Sequence, residues 1–258
     1  MNQLLKSTYK LMQQRTFIFH LGSKTYKFFS PKKINYRHAE LQGNKAALQT
    51  DFWAEHVLEV SPYPLGLTMA TGKPVSGQMP ESAEQFINRK LHQAISYPHH
   101  VITEAFNLEK MRQLIAFGLE ADLLSYAETI LKNIRLPITS AHGDLHPGNM
   151  LCLGNKLMII DWSMFSAKGS FITDYIHYYN YSTALQHKES WSKAILREAT
   201  YLSDLSATLS LPVPQLRLLY CLSRISGEVS QRKSAGEVLP RQIKKYNVVL
   251  KQVLNELS

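Results

Sequence analysis

The run His142-Gly143-Asp144-Leu145-His146-Pro147-Gly148-Asn149 continues through Met150-Leu151-Cys152-Leu153, Gly154-Asn155 and Lys156-Leu157-Met158-Ile159-Ile160-Asp161-Trp162, and it decides how the rest of the chain is read. Gly154-Asn155 between two short apolar runs is a two-residue hairpin signal, because both residue types tolerate the backbone of a tight turn. With those residues in the turn, Leu153 faces Lys156, Met150 faces Ile159, and Asn149 faces Ile160 beside Asp161. The turn therefore brings an amide oxygen and a carboxylate together. Hard oxygen ligands of this kind, completed by phosphate and water, suit a magnesium ion bound with a nucleotide. Asp144 sits on the loop that leads into the hairpin and can face the same opening. His142, Asp144 and His146 also form an alternating pattern that could chelate a transition metal, but that reading leaves the placement of Asn149 and Asp161 unexplained.

An Asp followed five residues later by Asn, then by a hairpin ending in Asp, has the spacing of a phosphotransferase catalytic loop. In such a loop the first Asp orients and deprotonates the attacking hydroxyl, while the Asn and the second Asp hold metal. On these residues the chain resembles the aminoglycoside phosphotransferase and choline kinase superfamily. The family pattern His-Gly-Asp-Leu-x-x-x-Asn, followed by Ile-Asp-Trp or Ile-Asp-Phe, is matched by His142 to Asn149 and by Ile160 to Trp162. The resemblance implies an α+β, bilobal, protein-kinase-like fold, with a small antiparallel β-sheet N-lobe carrying one helix and a larger, mainly α-helical C-lobe. It implies Asp144 as catalytic base, Asn149 and Asp161 as magnesium ligands, and His142 as a support for the loop. Asp174, in Phe171-Ile172-Thr173-Asp174-Tyr175, is placed to buttress that loop. In the small lobe the resemblance calls for a strand-borne base on the nucleotide phosphates and a Glu on the next helix, and Lys27 and Glu40 fit that pair. The purine would pack near the connection after Met69 and Ala70. Mg²⁺ and ATP are the implied cofactor and co-substrate, with GTP left open as donor. One feature departs from the pattern: the connection between the first two strand candidates, Gln13-Gln14-Arg15, has no glycine, so no glycine-rich phosphate loop is present.

Outward from the motif, Thr16 to Phe19 and Lys24 to Phe29 are rich in aromatic and β-branched residues around Gly22-Ser23, which predicts a hairpin. Tyr36 to Leu48 has a helical pattern, and His56 to Val60 and Leu65 to Ala70 are short strand candidates separated by Ser-Pro-Tyr-Pro. The loop-rich stretch around Gly72, Pro74, Gly77 and Pro80 marks a boundary between a nucleotide-binding N-lobe, residues 1–72, and a helical C-lobe, residues 73–258. The C-lobe would hold the catalytic loop (142–149), the metal-binding hairpin (149–162) and acceptor-binding helices. Residues 81–134 read as helical pieces split at Tyr97 to His100, and the chain is helical again after residue 175, with breaks near Pro212 and Pro240. The aromatic run Tyr175, His177, Tyr178, Tyr179 and Tyr181, with Trp191 further on, fits either an acceptor pocket whose rings stack on a sugar or surround a quaternary ammonium, or a helix packing its rings into the core. For Tyr178 and Tyr179 the core reading is preferred, because adjacent rings on a helix cannot face one ligand together.

The 258 residues carry 29 Lys plus Arg against 20 Asp plus Glu, and 45% are hydrophobic, a balance that excludes disorder, collagen and a coiled coil. Residues 1–50 hold nine of the basic residues and a single acid, Glu40, so nearly all the excess charge lies in the first fifth. Such a segment suits a polyphosphate, a nucleic-acid backbone or an anionic membrane surface. No aromatic-interleaved recognition motif accompanies the charge, so a nucleic-acid partner is not expected, while peripheral membrane contact stays open. Two cysteines, no Cys-x-x-Cys and no apolar leader read as a cytoplasmic chain without a signal peptide, and no apolar run approaches a membrane span. The leading expectation is an ATP-dependent transfer of a phosphoryl group to a hydroxyl of a small molecule such as a sugar or an amino alcohol. The alternative is a kinase-like nucleotide-binding or scaffold module with little catalysis, which the missing glycines motivate.

Overall fold

Gly22 takes a φ of +58° and turns β1 (Phe17–Leu21) back onto β2 (Lys24–Phe28), the hairpin that the aromatic and β-branched residues predict. This computed structural model describes residues 16–75 and 82–257; the Gln13 to Arg15 connection lies outside them, as do Gly77 and Pro80 of the boundary loop. The chain divides into two compact units, the first made of the residues up to Phe86 together with Pro147–Ala167, the second of Ile87–His146 and the residues from Lys168 onward.

In the first unit, β1, β2, β4 (Gly66–Ala70) and β3 (Ser61–Tyr63) form an antiparallel sheet in the order β1-β2-β4-β3. Side chains alternate along β2, so Thr25 and Lys27 are buried while Lys24 is exposed, and Lys27 pairs across the sheet with Ile18 on one side and Leu67 on the other. Phe29, Leu58, Val60, Leu67 and Met69 make the core of this unit, with Tyr36 and Leu41 packed against it. Those two come from α1 (Ile34–Ala47), the single long helix over the sheet that the sequence leads one to expect.

The expected strand at His56 to Val60 does not form. Asn44 of α1, fully buried, donates its amide to the Leu58 carbonyl (2.8 Å) and accepts the Val60 N–H (3.1 Å), so backbone groups that a ladder would need are already taken. The strand falls instead on Ser61–Tyr63, within the Ser-Pro-Tyr-Pro stretch read as a separator; β3 is an edge strand, where a proline without an N–H is tolerated.

The catalytic-motif hairpin has the expected register: β8 (Met150–Leu153) pairs with β9 (Lys156–Ile159), Met150 against Ile159 and Leu153 against Lys156, with Gly154 at φ +62°. The Ile160 N–H donates to the Asn149 carbonyl at 3.0 Å, which extends the ladder to the residue beside Asp161. The hairpin, expected with the helical lobe, packs instead with the first unit, so the division at residue 72 does not follow the packing. Three contacts explain this. β5 (Lys73–Pro74) pairs with β8, the Leu58 N–H donates to the Ile159 carbonyl at 3.0 Å, and the rings of Trp53 and Trp162 meet edge-to-face at 5.4 Å.

The chain passes through α2 (Ala83–Ile95) into the second unit, which is mainly helical: α3 (Leu108–Gln113), α4 (Ala121–Leu131), α5 (Phe171–Gln186), α6 (Trp191–Ala194), α7 (Thr200–Leu209), α8 (Val213–Ser230) and α9 (Pro240–Asn255). A two-stranded ribbon, β6 (His99–Val101) with β7 (Arg135–Pro137), interrupts the helices at the split read from Tyr97 to His100. Leu216 to Leu222 of α8 are buried on every side, as in a central core helix. α9 packs on it through Ile243, Tyr246, Leu250 and Val253, spaced three and four apart, and leaves its other face to solvent. No helix among the described residues is long and apolar enough to cross a membrane.

Candidate active site

Each unit builds one cluster of charged side chains, and the loop from His142 to Asn149 carries the chain from one cluster to the other. In the first unit the strand alternation points Lys27 inward, where an ammonium needs a partner. Its Nζ donates to Glu40 Oε2 at 2.7 Å and to Asp161 Oδ2 at 3.0 Å, and it lies 5.4 Å from the centre of the Phe29 ring. Burial works against the charge on Lys27, but Asp161 and Glu40 outweigh it and hold its pKa above the usual lysine value. Burial also lifts the Glu40 carboxyl to about 7 against the pull of Lys27, and Glu40 Oε1 has no hydrogen-bond partner among the described residues.

Asp161 adopts a left-handed backbone, φ 62° and ψ 59°, a conformation that Asp tolerates better than most residues because its short polar side chain bonds locally. Here Asp161 Oδ1 accepts the Ser163 hydroxyl at 2.9 Å while Oδ2 meets Lys27. Gly43 fixes the approach of α1 to this turn. A Cβ at that position would lie 2.0 Å from the carbonyl oxygen of Trp162, so only glycine lets the helix that carries Glu40 reach the residue after Asp161.

Asn149 and Asp161 supply an amide oxygen and a carboxylate at neighbouring ends of the hairpin. Asp161 is about a third exposed, so its carboxylate remains open to a further ligand. Among the described residues no three His, Cys, Asp or Glu assemble as a metal-ligand group, which leaves the alternating His142, Asp144, His146 chelate without support. The donor set fits a hard cation that keeps water and phosphate in most of its positions, as Mg²⁺ does. Met69 lies buried on β4 opposite Thr25, and Ala70, half-buried, lies opposite Lys24 at the end of that strand.

In the second unit, Gly143 takes φ +83°, and the N–H groups of His142 and Gly143 both point at Asp174. Asp174 Oδ2 accepts from His142 (2.7 Å) and Oδ1 from Gly143 (2.8 Å), so one buried carboxylate on the first turn of α5 ties down the start of the loop. Burial pushes its pKa up to about 7, with the two backbone N–H donors opposing. His142, fully buried, accepts the Asp144 N–H at its Nδ1 (3.2 Å). Gly169 lies so close to Ala141 that an added Cβ would meet the Ala141 Cβ at 2.4 Å, and the Ser170 hydroxyl caps α5 while donating to the Pro137 carbonyl.

Asp144 Oδ1 faces two partners that sequence reasoning missed. His177 Nε2 lies at 3.1 Å and Arg224 Nη1 at 3.1 Å, with Arg224 Nη1 also donating to the Gly143 carbonyl at 2.8 Å. Burial alone would raise the Asp144 carboxyl, yet the His177 hydrogen bond and the Arg224 charge hold it far below the ordinary value. Burial, reinforced by Arg224, pushes His177 down to about 4, so its ring is neutral at neutral pH. A carboxylate can only accept, which places the ring proton on Nε2; Nδ1 then accepts from the Tyr220 hydroxyl (2.9 Å), which in turn accepts from Asn180 Nδ2 (3.1 Å). His146 Nε2 stands 3.9 Å from Asp144 Oδ2, and its ring stacks on Tyr181 at 4.1 Å. Tyr178 is core, as its place on the helix suggests, while Tyr179 stacks on Tyr201. His177 had a signal, since it follows Asp174 by three residues on one helix face; Arg224 is one of three charged residues on α8, with Arg217 and Glu228, and nothing local distinguishes it.

A family model described as APH, phosphotransferase enzyme family, matches residues 87–200, a segment that holds Asp144, Asn149, Asp161 and Asp174. The match bears out the resemblance carried by the His142 to Trp162 motif. No curated protein matches the chain. Among solved structures, the chain is similar to a choline/ethanolamine kinase family protein from Mesorhizobium loti, at 14% identity and a TM-score of 0.47, covering 97% of this chain and 94% of that one. A candidate fructosamine-3-kinase from Haemophilus somnus 129PT is similar at 13% identity and 0.47, over 97% of each chain. An ethanolamine kinase from Plasmodium vivax is similar at 13% identity and 0.46, over 98% of this chain and 84% of that one.

Proposed function

We propose that this chain is an ATP-dependent phosphotransferase that moves the γ-phosphoryl group to a hydroxyl of a small molecule. The observation that carries the reading is the buried lysine of β2 held between Glu40 of α1 and Asp161 after β9. Burying one cation with two carboxylates from distant parts of the chain adds little stability by itself, and its use is to hold a charge at a fixed point. Lys27 has three N–H donors and gives two of them to Glu40 and Asp161, so a third is left for a phosphate oxygen. A magnesium ion held by Asn149 and Asp161 would neutralise charge on the transferring group. Met69 and Ala70 would flank the base of the nucleotide. The first unit is thereby assigned to the donor and the second to the acceptor.

Asp144 has the role of aligning the acceptor hydroxyl. Held ionised by Arg224 and His177, it is a strong hydrogen-bond acceptor and a weak base, so it takes the hydroxyl proton only as the new oxygen–phosphorus bond forms. His142 and Asp174 hold the loop that carries it. Catalysis on this reading is positioning and charge neutralisation rather than covalent chemistry. The acceptor is a neutral or anionic sugar or an amino alcohol in preference to a polycationic aminoglycoside, because acids are sparse in the C-terminal helices. Both cysteines are free and buried, which suits a reducing, cytoplasmic compartment where ATP is abundant.

The test is Asp144→Asn with a panel of hydroxyl acceptors and labelled ATP. The expected outcome is loss of turnover with nucleotide affinity retained. Turnover at the wild-type rate would refute the role of Asp144, and wild-type protein that transfers phosphate to no acceptor would favour a binding module.

A further inference from the structure

The helical unit holds a cleft lined by none of the residues assigned above to phosphoryl transfer. It lies between α6 with the residues just after it and the solvent side of α9, and its volume is about 480 Å³, within the range of small-molecule sites. Four cations line it, Lys193, Arg241, Lys244 and Lys245, and no acid does. Among the described residues none of the four makes an ion pair within 4 Å. Like charges gathered around one cavity repel, and an anion in the cavity relieves that repulsion.

The rest of the wall is mixed: Ser190, Ser192 and Gln252 are polar, and Leu196, Val248 and Val249 give it an apolar part, with Val248 51% exposed. Beside the cations, these apolar side chains offer a surface on which the apolar body of a ligand could be buried. A smaller recess of about 220 Å³ shares Ser190, Ser192 and Lys245 with the cleft. The one acid in that recess, Glu228, is already committed: it accepts from Trp191 Nε1 at 3.0 Å and from the Tyr246 hydroxyl at 2.5 Å, and it lies 3.7 Å from Arg224 Nη2. The recess also contains Gln242, whose Oε1 is buried without a hydrogen-bond partner among the described residues and offers an acceptor to a ligand hydroxyl.

We propose that this cleft binds an anionic amphiphile, a small molecule carrying a phosphate or carboxylate on an apolar body. The proposal does not depend on the phosphotransferase reading, and its test needs no turnover. Calorimetry on the full chain would use octyl phosphate below its micellar concentration as probe, beside octyl glucoside, octyltrimethylammonium, inorganic phosphate, and vesicles of pure phosphatidylcholine or with added phosphatidylserine. The variants are the double substitution Lys244→Glu with Lys245→Glu, and separately Val248→Asp, all at exposed positions, with melting temperatures checked against wild type. Octyl phosphate is expected to bind the wild type and to lose at least about tenfold in affinity in each variant, with octyl glucoside and inorganic phosphate weaker and octyltrimethylammonium without effect. Equal binding of the cationic probe, affinity unchanged by the double charge reversal, or no binding of octyl phosphate would each overturn the proposal. Inorganic phosphate binding as tightly as octyl phosphate would overturn its apolar half. Charge-dependent vesicle binding without octyl phosphate binding would assign the lysines to a membrane surface instead.

Discussion

Gly43→Ala should loosen the Lys27–Glu40–Asp161 cluster, although in an isolated helix the same change would stabilise by about 1 kcal/mol. The alanine Cβ would lie 2.0 Å from the Trp162 carbonyl oxygen, 3.0 Å from its carbon and 3.1 Å from the Phe165 Cβ. The first two are backbone atoms and cannot swing aside. To restore contact, α1 or the turn after Asp161 must move by about 1 Å or more, given normal non-bonded separations near 3.5 Å. Glu40 stands one helical turn before Gly43, and Asp161 immediately precedes Trp162, so the movement is transmitted to both partners of Lys27. Hydrogen bonds of 2.7 and 3.0 Å do not survive such a shift, since the useful range spans only about half an ångström. Overpacking of this kind costs about 1–3 kcal/mol, and the opened ion pairs add to it. Urea denaturation should show a lowered midpoint with an unchanged slope, and nucleotide affinity should fall with it. A variant as stable as wild type with undiminished nucleotide affinity would refute the close approach and the positioning role drawn from it.

Two further expectations concern the Asp144 cluster. Arg224→Met leaves Asp144 and Glu228 without their shared cation and the Gly143 carbonyl without its donor; stability should fall by about 3 kcal/mol in chemical denaturation, and turnover should fall while nucleotide affinity holds. His177 has a folded-state pKa near 4 against an ordinary 6.5, so between those values the unfolded chain binds the extra proton. Its contribution is therefore complete above about pH 6.5 and is lost as pH falls through about 4, a change of about 3 kcal/mol that His177→Gln should remove from the stability–pH profile.

The parts of the fold that local chemistry decides were legible in the sequence. Gly154-Asn155 sets the β8–β9 register because a two-residue turn leaves only one pairing, and that register brings Asn149 up against Ile160 and Asp161. Glu40 stood out as the single acid in fifty residues, and it does meet Lys27. What the sequence concealed depends on distant side chains. Asn44 captures the backbone at 58 and 60 and moves the strand to Ser61–Tyr63, an outcome no local propensity encodes. The hairpin's packing with the first unit follows from β5 and from the Trp53–Trp162 contact, each joining segments far apart in the chain. Arg224 reaches Asp144 across 80 residues, and no local pattern marks which of the three charged residues of α8 does so.

The measurement that tests the central claim most directly is calorimetric titration of Mg-ATP into the wild type and Asp161→Ala. Metal-dependent binding by the wild type that disappears in Asp161→Ala is the expected result. Binding that survives the substitution, or that needs no metal, would contradict the donor site built from Lys27, Asn149 and Asp161.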